Sequence, residues 1–89
     1  MIREFNFTFL TAPVLDEKGR MDEPPSLWTF RSSYYEIVSV DHDRIVFVTV
    51  PGDDGKEEPL EFIVNFKEHL IYRRPAGAGY PGEVMERIM

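Results

Sequence analysis

Arg44-Ile45-Val46-Phe47-Val48-Thr49-Val50 and Leu60-Glu61-Phe62-Ile63-Val64-Asn65-Phe66 are dense in the β-branched and aromatic side chains that fit a pleated, half-buried surface. The first segment is apolar on both faces, Ile45 and Phe47 against Val46, Val48 and Val50, as expected of a central strand covered from two sides. The second alternates, with Leu60, Phe62, Val64 and Phe66 on one face and Glu61 and Asn65 on the other. Between them, Pro51-Gly52-Asp53-Asp54-Gly55 is a strong turn signal. These segments set the class as mainly β: a small antiparallel β-barrel or curved meander of about five or six strands.

Further strands are read outward from this centre. Residues 2–10 place Phe5, Phe7 and Phe9 on one face and Glu4, Asn6 and Thr8 on the other, the period of a strand with one buried side. Residues 27–31 put Trp28 and Phe30 on a common face, and residues 34–40 follow after a break at Ser32-Ser33, or continue the same strand through a bulge. Asp41-His42-Asp43 reads as a tight turn, and Lys67-Glu68-His69 turns the chain into a last strand over 70–74. Residues 11–26, rich in Pro, Asp and Glu, read as a long semi-rigid loop. Residues 75–82 read as a flexible Gly/Pro linker between a β domain at 1–74 and a short C-terminal helix at 83–89. In that helix Val84 and Ile88 stand at helical spacing, as do Met85 and Met89.

A chain of 89 residues is expected to form one domain, burying about 60–65% of its unfolded surface. It has no cysteine, which removes thiolate chemistry and Cys-type zinc sites and points to a cytoplasmic protein, of cellular or viral origin. No apolar run reaches membrane-spanning length, and the alternating N-terminal segment does not read as a signal sequence. Sixteen acidic residues against 10 basic ones give a net charge of −6, which disfavours direct nucleic-acid binding and suits a basic protein partner. The acidic groups crowd two segments, Asp16, Glu17, Asp22 and Glu23 in one, and Asp53, Asp54, Glu57, Glu58 and Glu61 in the other.

No constellation specifies a reaction or a cofactor. Asp41, His42 and Asp43, with the distant His69, have the residue types of a metal or acid–base site, yet three consecutive turn residues splay rather than converge. The 51–58 loop lacks the alternating ligand spacing of a calcium loop. Ser32 and Ser33 lack the glycines of a nucleophile elbow, and Gly77 and Gly79 lie between prolines without a phosphate-loop pattern.

By elimination, the sequence points to a non-catalytic protein-binding module: an adaptor, a small regulatory subunit or an inhibitor of a larger enzyme. An apolar surplus on both faces of the sheet calls for a second layer, supplied by barrel closure, a protein partner or a second copy in a homo-oligomer. The expected partner-binding residues are acidic Asp53, Asp54, Glu57 and Glu58, basic Arg73 and Arg74, and apolar Val84, Met85, Ile88 and Met89. Two alternatives accompany this reading. One is an acidic inhibitor that mimics nucleic acid, of the kind phages encode. The other is a small ligand-binding or metal-dependent barrel enzyme using Asp41, His42, Asp43 or His69.

Overall fold

A computed structural model describes residues 4–51 and 58–89. Nine strands occur among them: β1 (Asn6–Leu10), β2 (Val14–Leu15), β3 (Met21–Glu23), β4 (Leu27–Arg31), β5 (Tyr35–Val40), β6 (Arg44–Thr49), β7 (Leu60–Asn65), β8 (Leu70–Pro75) and β9 (Glu83–Arg87). Strands β5 to β9 form an antiparallel meander in sequential order, and β1 pairs with β4 in a separate two-stranded sheet. The mainly β class stands. No helix occurs among the described residues, and so none is long and apolar enough to cross a membrane.

The core lies between the two sheets. Phe30 of β4 stacks on Phe47 of β6 at 4.2 Å with ring planes 2° apart, and both side chains are completely buried. Phe5 and Phe7 lean on Phe47, Phe9 meets Phe30 edge-on, and Tyr35 meets Phe62 at 89°. Ile45, Val64 and Ile71 continue this buried face across β6, β7 and β8. The period-two aromatics of β1 thus have their physical use as one half of the core.

Two expectations need correction. The sheets stay open, and no barrel closes among the described residues: the one bridge seen there between them is the pair Thr11 and Ile88, while the 32–34 turn carries the chain from β4 to β5 without pairing those strands. Residues 83–87 form strand β9 and not a helix. A two-turn helix has little stability of its own in water, whereas the edge of β8 offers a ladder of backbone hydrogen bonds and a core site for Ile88. Residues 75–82 make the β8–β9 connection. Pro75 ends β8, Ala76 N–H donates to the Pro59 carbonyl at 3.0 Å, and Gly77 and Gly82 take left-handed φ values of 79° and 98° to close the β8–β9 hairpin.

The 11–26 segment also holds more structure than a loop. Within it β2 and β3 make a small exposed hairpin, turned by Asp16, whose carboxylate accepts the Lys18 and Arg20 N–H groups at 2.9 and 2.8 Å.

Candidate functional site

With one face of the meander packed on β1 and β4, the opposite face carries no layer among the described residues. Its registers align side chains in rows across the strands. The central row runs Ser39, Val46, Ile63, Tyr72 and Val84, one residue from each of the five strands. On one side lies a row of Glu36, Val48, Glu61 and Arg74; on the other lie Arg44, Asn65, Leu70 and Arg87. An apolar stripe flanked by charge is the result. Its Ser39, Val46, Ile63 and Tyr72 form the floor of a groove of about 580 Å³, walled by Val38 of the bulged β5 strand and by Tyr80 and Pro81 of the β8–β9 loop; Val46 and Ile63 are largely buried there, and Val84 lies beyond the groove.

Hydrogen bonds hold the rim in place. Arg74 Nε donates to Glu61 Oε2 at 2.9 Å, and Arg74 Nη1 donates to the Tyr80 carbonyl at 3.1 Å, which ties the loop to the sheet. Both members of the Arg74–Glu61 pair are largely shielded from water, the setting in which a charge-assisted bond is strongest. At the other end the Tyr72 hydroxyl donates to Glu68 Oε2 at 2.7 Å, and Asn65 Nδ2 donates to Glu68 Oε1 at 3.1 Å. The carboxylate of Glu68 pushes the Tyr72 phenol above its ordinary value, because ionisation would lose the hydrogen bond. Asn65 Oδ1 accepts the Lys67 and Glu68 N–H groups, and His69 completes this turn with a left-handed φ of 59°.

The residues expected to bind a partner are dispersed. Asp53, Asp54 and Glu57 lie outside the described residues, and Glu58 is exposed ahead of β7. Arg73 and Arg74 face opposite sides of the sheet, so only Arg74 reaches the groove. The apolar C-terminal set is split as well. Val84 ends the central row and Met89 is exposed, whereas Met85 packs against the core and Ile88 is buried in it. Residues four apart share a face on a regular strand as on a helix, but the register shift at Met85 turns the strand over, which puts Val84 and Ile88 on opposite sides.

Asp41, His42 and Asp43 do come together, with potential ligand atoms within 4.8 Å of one another, all exposed and without His69. The Asp41 carboxylate is engaged locally, accepting the Asp43 and Arg44 N–H groups at 2.8 and 2.9 Å. Those backbone bonds, the Asp43 one first, hold the Asp41 carboxyl below its usual range. The arrangement is that of a side chain closing its own turn.

Sequence reasoning missed Val38, Val46, Ile63, Tyr72 and Tyr80 as a group. The available signal was Ile63, an apolar residue between the outward-facing Glu61 and Asn65, together with the second apolar face of β6. Comparison of the chain with protein-family models, characterised proteins and solved structures finds no match.

Proposed function

We propose that the chain is a non-catalytic protein-binding module that reads its partner with the outer face of the β5–β9 sheet. The observation that carries this reading is a groove floored by the largely buried Val46 and Ile63 and by Tyr72, with exposed Val38 on its wall, exposed Val84 continuing the row beyond it, and rim side chains held by hydrogen bonds. An apolar centre inside a polar rim is the anatomy of protein interfaces, and a pre-ordered rim lowers the entropic cost of binding. The rim carries both signs of charge, so it favours a partner with charges of both signs beside an apolar ridge. The net charge of −6 draws basic proteins towards it at low salt.

The test is affinity capture from the native host with the whole chain as bait, run beside Val38→Lys and Val84→Lys. Both positions are exposed, so the variants are expected to keep the fold. Proteins retained by the wild type and lost from both variants support the reading. An identical set captured by all three baits overturns it.

A further inference from the structure

The two-stranded sheet has one edge that nothing in the described chain covers. Hydrogen bonds Thr11 N–H to the Ser26 carbonyl (2.8 Å) and Ser32 N–H to the Phe5 carbonyl (3.0 Å) bracket the β1–β4 ladder. Antiparallel ladders alternate, so Trp28 and Phe30 turn their backbone groups towards β1, and Leu27, Thr29 and Arg31 turn theirs outward. Among the described residues, only the Arg31 carbonyl of this outward set has a backbone partner, the N–H of Tyr34. The far edge of β1 is tied to the meander at its C-terminal end, through Ala12 N–H to the Arg87 carbonyl and Met89 N–H to that of Leu10.

We infer that this edge is a homodimer interface, in which β4 pairs antiparallel with β4 of a second copy about a two-fold axis at Thr29. The register is self-complementary. Thr29 faces Thr29 in a hydrogen-bonded pair, and Leu27 of each copy faces Arg31 of the other, so every outward N–H finds an acceptor, the Arg31 carbonyl being shared with Tyr34 N–H. The two Arg31 side chains sit at opposite ends of the joint, and no like charges meet.

The surface beside the edge suits this use. A groove of about 550 Å³ runs along it, bounded by Leu27, Thr29, Arg31, Tyr34 and Val50, and its described lining holds no carboxylate. Leu27 and Tyr34 are also the most exposed large apolar side chains described, at 71% and 65%. Neither lysine nor proline guards β4 itself, although β5 carries a bulge, a common device against edge pairing. Joining the two copies makes a four-stranded sheet from pairs that are marginal alone. A joint this short points to a weak dimer that forms in a concentration-dependent way.

Sedimentation equilibrium of the whole chain over a range spanning about 1–500 µM tests the inference by mass action. The weight-average mass should climb from the 10.4 kDa monomer towards twice that value. Leu27→Lys places a charge on the edge, and Thr29→Pro deletes the central N–H, which serves no bond within the monomer. Each should weaken association by about tenfold or more, with circular dichroism unchanged. Val84→Lys, on the other sheet, should leave the dimer intact. Should Thr29→Pro fail to fold, Leu27→Lys decides alone, because its side chain is already in solvent. A wild type that stays monomeric throughout, or a dimer unaffected by Leu27→Lys, overturns the inference.

Discussion

Asp41 closes the β5–β6 turn through its carboxylate, while His42 beside it stands in solvent; the two residues should therefore behave differently on substitution. Asp41→Ala is expected to destabilise the fold at neutral pH, and His42→Asn to change stability by less than about 1 kcal/mol. The pH dependence follows from the depressed carboxyl of Asp41. Its contribution is present above the unfolded-state value and is lost as pH falls through the lower folded-state value. The gap between wild type and Asp41→Ala should consequently narrow in acid, as read by urea unfolding at neutral pH and near about pH 3. A gap of constant size would show that the turn does not depend on the charged carboxylate. Gly82 makes a second prediction at this scale. Its φ is 98°, and a Cβ there would lie 2.7 Å from the Arg73 carbonyl oxygen. Gly82→Ala should cost about 1–3 kcal/mol in chemical denaturation, unlike a substitution at Gly79, whose Cβ would meet nothing.

At the scale of elements, β9 is where local pattern and tertiary setting disagree most. Glu83 to Arg87 has helix-forming composition, yet it pairs with β8, leaving Ile88 buried and Met85 against the core. Ending the chain after Arg74 removes both side chains and the last paired strand. The truncated protein should lose about 3 kcal/mol or more in thermal and urea unfolding, or fail to fold. A truncation that keeps its melting temperature would mean that β9 contributes nothing to the core. The strands at 44–49 and 60–65 were legible because their β-branched and aromatic content reports a half-buried pleated surface directly. The β2–β3 hairpin was not, since its side chains are all exposed and leave no hydrophobic period to read.

For the molecule as a whole, the joint between the two sheets is the stack of Phe30 on Phe47. Phe30→Ala and Phe47→Ala should each cost roughly 3–5 kcal/mol in urea unfolding. A double-mutant cycle should return a coupling of about 0.5–1.5 kcal/mol for the ring pair, and additive losses would contradict the stacked geometry. The amino-acid sequence by itself determined the β class, the alternation of β1 and β7 and the turn at Asp41, because each depends on side-chain period or on bonds between near neighbours. Only the tertiary structure decided that residues 83–87 are a strand, that the sheets stay open and that Val46, Ile63, Tyr72 and Val84 share one row. Those features depend on which edge each strand finds and in what register. Such long-range pairing outweighs a two-turn helical preference and leaves no trace in the spacing of residues along the chain.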